Sequence, residues 1–232
     1  MTDNDEFPVH DSLVVLDGNT IYRTDNWFKA AVLYRYDGNE YDSTELAIYL
    51  WHRKGQEWKR KQKYVVKTIE GWEADKASLE RFLPALNGDP VPEEIEKPDE
   101  VLPVSDYYNV DAGATVFETD EWWKATVVID AKGDYETTEV ILYVWQRTDD
   151  DWKCRQKYPI KRYSDWEADL AAIEEFIGEL DSAPGSEGEN DGTVSSRVDD
   201  CTAQDNREML QKALEARHLS RELTGDREEA TH

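Results

Sequence analysis

Cysteine, histidine and basic residues are scarce in this chain, and each shortage narrows what it can do. Its two cysteines, Cys154 and Cys201, lie far apart in unlike surroundings, so they form neither a metal-ligand spacing nor a disulfide framework. The four histidines (His10, His52, His218, His232) are scattered, no Gly-rich phosphate loop occurs, and no carboxylate pair stands out from the acidic background. An enzyme is therefore not expected, nor is a cofactor or a metal, although 52 carboxylates leave a small metal-dependent nuclease as an alternative. No run approaches the roughly 18 apolar residues that a membrane-spanning helix needs. Met1 to Phe7 is polar and acidic, without the cationic start and apolar run of a secretory signal. A cytoplasmic protein without membrane contact is expected.

Twenty-seven Lys and Arg against 52 Asp and Glu give a formal charge of −25, a field that would repel a polyanion if it were uniform. The acidic, lysine-poor composition resembles that of proteins from halophilic archaea. In molar salt the Debye length falls to about 3 Å, so local patches outweigh the total. With 39% apolar residues the 232-residue chain can build a core in part of its length.

The strongest signal is an internal repeat. Thr20–Leu83 laid over Thr115–Ile177, with one gap near Gly38/Gly133, matches 27 of 63 positions. Shared positions include Trp27/Trp122, Lys29/Lys124, Tyr49/Tyr143, Trp51/Trp145, Arg53/Arg147, Lys59/Lys153 and Lys67/Lys161, with Gln-Lys-Tyr at 62–64 and 156–158 and Trp-Glu-Ala-Asp at 72–75 and 166–169. Each copy reads as four strands and a helix. Strand two covers Trp27 to Tyr36 up to an Asp37-Gly38-Asn39 turn signal, strand three Glu45 to Arg53, and strand four Trp58 to Thr68. From Trp72 the apolar period changes to that of a helix. The expected fold is α+β: two tandem ββββα modules, each a four-stranded antiparallel sheet plus a C-terminal helix. The expected divisions are a first repeat over 12–86, a Pro/Glu-rich linker over 87–106, a second repeat over 107–180, a disordered acidic stretch over 181–205, and a short C-terminal helix over 206–223.

Alternation along the strands then sorts the side chains. Strand four divides into Trp58, Arg60, Gln62, Tyr64 and Val66 against Lys59, Lys61, Lys63, Val65 and Lys67. Strand three divides into Leu46, Ile48 and Leu50 for the core against Ala47, Tyr49, Trp51 and Arg53. Strand two is expected to turn Phe28, Ala30 and Val32 inward and Trp27 and Lys29 outward. The second copy sorts alike, with Trp122, Lys124, Tyr143, Trp145, Arg147, Lys153, Arg155, Lys157 and Lys161 on the non-core face. Trp51–Lys67 holds seven cations and one carboxylate, and Trp145–Arg162 six cations and three carboxylates, a local inversion of sign that marks a candidate anion site. A lysine row beside aromatic faces is what single-strand binders use, cations tracking phosphates while rings stack on bases at about 1–3 kcal/mol each. In molar salt, counterion release contributes little and stacking has to carry more.

The order of sheet, basic hairpin and Trp-initiated helix resembles the transcriptional positive-cofactor-four family and the related Whirly proteins. The stretches that carry the resemblance are ELAIYLWHRKGQEWKRKQKYVVKTIEGWEADKASLERF and EVILYVWQRTDDDWKCRQKYPIKRYSDWEADLAAIEEF. It implies single-stranded DNA as ligand, with contacts from Lys59, Lys61, Lys63, Lys153, Arg155 and Lys157 and from Trp51 and Trp145. Family members carry one copy and dimerise, so two copies here imply an intramolecular pseudo-dimer through the two helices. The interval from Trp72 to Leu79 is longer than the family's. The function this implies is binding of single-stranded DNA or RNA in transcription, replication or repair, by a monomeric pseudo-dimer or a homodimer. The competing reading is a non-catalytic protein-interaction module, since exposed Trp, Tyr and Arg serve protein partners equally well. A protein partner is also conceivable at the C-terminal tail, although the duplicated lysine row suits a phosphate backbone better.

Overall fold

Runs of β-branched and aromatic residues at alternating positions, separated by Thr-Asp-Asn and Lys-Gly-Gln turns, favour short antiparallel strands. In the computed structural model, which describes residues 7–36, 44–90, 102–105, 107–131, 137–149 and 151–180, the first module comprises β1 (Leu13–Arg23), β2 (Trp27–Tyr36), β3 (Thr44–Lys54), β4 (Glu57–Val66) and α1 (Ile69–Phe82). The second comprises β5 (Tyr108–Glu118), β6 (Trp122–Ala131), β7 (Thr138–Thr148), β8 (Asp151–Ile160) and α2 (Tyr163–Phe176). Both sheets are antiparallel meanders in the order β1-β2-β3-β4 and β5-β6-β7-β8. The chain is thus α+β with two similar sheet-helix modules. The helices start three residues ahead of the tryptophans, α1 from an N-cap at Thr68 whose hydroxyl accepts from Gly71 N. The Asp37-Gly38-Asn39 turn, the stretch 181–205 and the helix expected over 206–223 lie outside the described residues.

Each helix packs chiefly on the sheet of the other module. Helix α1 lies against β5, β6 and β7, and α2 against β1, β2 and β3, while β4 and β8 adjoin. One core therefore draws on both modules: Ala31, Leu33, Leu46, Ile48, Tyr64, Trp72, Leu79 and Phe82 pack with Val128, Leu142, Tyr158, Trp166, Ile173 and Phe176. At its centre the Tyr64 and Tyr158 rings stack 4.4 Å apart and Trp72 meets Trp166 at 5.8 Å. The modules belong to one compact unit. No helix among the described residues is long and apolar enough to cross a membrane.

The opposite faces of the sheets are buried too, each under its own small core. Phe7 and Leu13 join Phe28, Val32, Tyr49 and Trp51 in the first module. Leu102 joins Trp123, Val127, Tyr143 and Trp145 in the second. Phe7 and Leu102 occupy equivalent places in Phe7-Pro8-Val9 and Leu102-Pro103-Val104, both held by a bond from the valine N to the Phe7 or Leu102 carbonyl, at 2.8 and 2.6 Å. Each lies over a glycine: a Cβ at Gly18 would stand 2.7 Å from the Phe7 ring and one at Gly113 2.7 Å from Leu102 Cδ1. The repeat therefore begins well before Thr20, and Leu102, inside the stretch read as linker, is part of the second module's packing.

Candidate nucleic-acid interface

The backbone register decides which side chains share a surface. In β2–β3, Phe28 pairs with Trp51, Ala30 with Tyr49 and Val32 with Ala47. The expected division of strand two is thereby inverted: Phe28, Ala30 and Val32 share the outer face with Trp51 and Tyr49, and Lys29, Ala31 and Leu33 face the helices. In β4 the pairing slips between Leu50↔Gln62 and Trp51↔Arg60. Lys61 is left as an extra residue, and an extra residue reverses the facing of every side chain beyond it. The same slip leaves Arg155 unpaired between Cys154 and Gln156. The expected row Lys59-Lys61-Lys63-Lys67 is consequently not a row. Lys63 and Val65 lie on the outer face with Trp58 and Arg60, whereas Lys59 sits opposite His52 on the helix-side face.

The aromatic platform also fails as an open surface. Trp51 is 1% exposed and Trp145 0%. Each ring stacks on its neighbour Tyr49 or Tyr143 at 4.9 Å, and both pairs are buried in the outer cores. Lys63 lies half-buried with its ammonium 4.8 Å from the Tyr34 ring and 5.4 Å from Tyr49; burial pushes its pKa down to about 8. Lys157 sits likewise over Tyr108 and Tyr143. The half-buried Arg155 donates from Nε to Gln146 Oε1 at 3.1 Å.

Lys29 and Lys124 are internal cations, not surface ones. Lys29 Nζ lies 2.6 Å from Asp169 Oδ2, which also accepts from the Tyr158 hydroxyl at 2.5 Å. Its counterpart Lys124 lies 2.8 Å from Asp75 Oδ2, which accepts from Tyr64 at 2.6 Å. In both triads the lysine belongs to the module opposite the one supplying the tyrosine and aspartate. Burial raises the Asp169 carboxyl above its ordinary range, with Lys29 and Tyr158 opposing. The same burial, together with the neighbouring carboxylates, drives both tyrosine hydroxyls well upward. Asp75 and Asp169 were legible as the identical last residue of Trp-Glu-Ala-Asp, but a search for apolar helix positions passes over them.

Most of what remains at the surface in the first module lies at the end of the β3–β4 hairpin. Thr24 ties the β1–β2 turn through its hydroxyl, which accepts from Trp27 N at 3.0 Å, and Asn26 O accepts from Arg53 N at 2.8 Å. These bonds fix the start of β2 beside the end of β3. On the helix-side face the exposed Trp27 ring meets His52 at 4.5 Å, with Lys59 opposite His52. On the outer face Arg23 and Arg53 lie over the Trp58 ring at 5.7 and 5.9 Å. Lys54, Arg60 and Lys61 are exposed nearby in sequence. Further along, exposed Lys67 lies 3.4 Å from the buried Glu45, which also accepts from Tyr34 at 2.6 Å. In the second module Arg147 lies over Trp152 at 5.8 Å, Lys153 is exposed, Lys161 pairs with Glu139 at 2.7 Å, and Trp122 is 8% exposed against 39% for Trp27. The structure thus brings together Trp27, Arg53 and Lys59 at one tip and Arg147 and Lys153 at the other, and withdraws Lys29, Tyr49, Trp51, Trp122, Lys124, Tyr143 and Trp145 from solvent wholly or largely.

No family model, no curated protein and no solved structure matches this chain.

Proposed function

We propose that the chain binds single-stranded nucleic acid, DNA in the first instance, at a cationic hairpin end of its sheets, that of β3–β4 carrying the most exposed cations. Transcription, replication and repair are the processes in which such a strand is available. The observation that carries the reading is the sign of the charge: a protein of −25 presents Arg53, Lys54, Lys59, Arg60 and Lys61 exposed along one hairpin. Beside them stands an exposed tryptophan backed by His52. Cations beside an exposed ring suit a flexible strand, whose phosphates and unstacked bases are both within reach, better than a duplex, whose bases are already stacked. The exchanged helices support treating the chain as an intramolecular pseudo-dimer, the arrangement that the resemblance to the positive-cofactor-four and Whirly proteins implies. In this reading the interface lies at the hairpin ends and not across the sheets, because the sheet faces are filled by Phe7 and Leu102.

The test is tryptophan fluorescence of the full chain in molar potassium chloride, titrated with an unlabelled single-stranded oligonucleotide and then with the duplex of the same sequence. Saturable quenching by the single strand, with weaker binding of the duplex, is the expected result. Absence of quenching at high and low salt alike would transfer the hairpin surfaces to a protein partner.

A further inference from the structure

The two hairpin ends share an arginine over a tryptophan, Arg53 on Trp58 and Arg147 on Trp152, and an exposed lysine, Lys59 and Lys153, but differ around them. At the turn, Lys54-Gly55-Gln56-Glu57 in the first module stands against Thr148-Asp149-Asp150-Asp151 in the second. Arg23, which lies over the Phe28 and Trp58 rings at 4.7 and 5.7 Å, is replaced at the equivalent position by Glu118. Arg60, opposite Trp51, is replaced by Cys154, opposite Trp145. His52, which backs Trp27, is replaced by Gln146, opposite a Trp122 that is largely buried. These four differences, the turn and three single positions, all move the charge or the exposed ring in one direction, while the buried triads are kept in both copies.

Resting on the reading of the hairpins as a nucleic-acid interface, we infer that only the first module engages the strand. The chain then holds one single-strand site at the end of the β3–β4 hairpin, in which a base stacks on Trp27 beside Lys59 on the helix-side face, Lys59 exchanging its exposed partner Glu57 for a phosphate, and further phosphates reach Arg23 and Arg53 on the outer face. The second module serves as scaffold: it contributes α2 to the first module's sheet and Asp169 to Lys29, and its acidic turn repels the strand from the equivalent surface. The charge contrast carries most weight at close range, because in molar salt it is felt only within the first few ångströms, where these side chains stand.

The experiment compares matched pairs of variants in the full chain, titrated with oligo-thymidine by fluorescence and calorimetry. R53E/K59E and its counterpart R147E/K153E change equivalent exposed residues, and retained near-ultraviolet circular dichroism certifies folding in each. The expected result is one site per chain, at least a tenfold loss of affinity in R53E/K59E, a change within twofold in R147E/K153E, and about a tenfold loss in W27A from the missing stack. Two equal sites, or equal losses from the two paired variants, would overturn the division of labour and leave the proposed function standing. No binding by the unaltered chain would remove both.

Discussion

The inner faces of the two modules carry the same lysine, tyrosine and aspartate in the same places, Lys29 and Lys124, Tyr64 and Tyr158, Asp75 and Asp169, whereas the hairpin ends have parted into Lys-Gly-Gln-Glu and Thr-Asp-Asp-Asp. The contrast teaches what each part is under pressure to do. A buried lysine requires its carboxylate, because an ion stripped of its partner in a dry core costs several kcal/mol, and each triad joins one module's lysine to the other's tyrosine and aspartate. Neither copy can change there alone. The hairpin ends make no such demand, and their divergence is free to reflect a ligand.

The comparison breaks most visibly at the triads. Asp169→Ala leaves the Lys29 ammonium buried without its counter-ion, and a loss of about 3–5 kcal/mol is expected in denaturant unfolding. Asp75→Ala should cost somewhat less, since Lys124 keeps 15% side-chain exposure against 9% for Lys29. The paired change Lys29→Met with Asp169→Leu should recover most of the loss, which a double-mutant cycle would read as coupling.

The next largest effect lies at the outer cores. Phe7→Ala and Leu102→Ala each empty the space over a glycine, with about 2–5 kcal/mol expected from lost burial and the cavity left behind. In Phe7→Ala a red shift of tryptophan emission should accompany the loss as water reaches Phe28 and Trp51. Gly18→Ala should destabilise more than Gly113→Ala. Its Cβ would meet the rigid ring of Phe7, whereas that of Gly113 meets the end of a leucine that can rotate away.

Lys63 supplies a pH test. Burial holds its ammonium down to about 8 against an ordinary 10.5, so between these values the folded chain binds fewer protons than the unfolded one. Stability should therefore rise with pH across that window, by the linkage between proton binding and folding. Lys63→Met should flatten the rise, as measured by the midpoint of urea unfolding from pH 7.5 to 10.5. The smallest difference concerns the helix starts. Thr68→Ala removes the hydroxyl that caps α1, at about 1 kcal/mol, while Arg162→Ala should cost α2 less, because Arg162 makes no cap bond and loses only an exposed pair with Asp165.

The duplication, the four strands and the helix of each module were legible because 27 identities and a change of apolar period are local signals. The sorting of β4 was not, because the slip at Lys61 is marked by no glycine or proline, and one extra residue reverses every assignment beyond it. The burial of Trp51 and Trp145 depends on Phe7-Pro8-Val9 and Leu102-Pro103-Val104, a matching pair of tripeptides lying upstream of the aligned repeat. Helix exchange leaves no trace in a helix's own pattern, since one apolar stripe suits either sheet. Of the candidate interface, the cation-rich hairpin was readable from its charge; the exposure of Trp27 and the burial of Trp122 were not, because identical residues at matched positions differ only through their surroundings.

The most direct test is photo-crosslinking of an oligonucleotide bearing 5-iodouracil to the full chain in molar potassium chloride, with the adducts mapped by mass spectrometry. The account predicts adducts at Trp27 or elsewhere at the first module's hairpin end, and none at Arg147, Trp152 or Lys153. Adducts confined to the second module, or none from a strand shown to be bound, would contradict it.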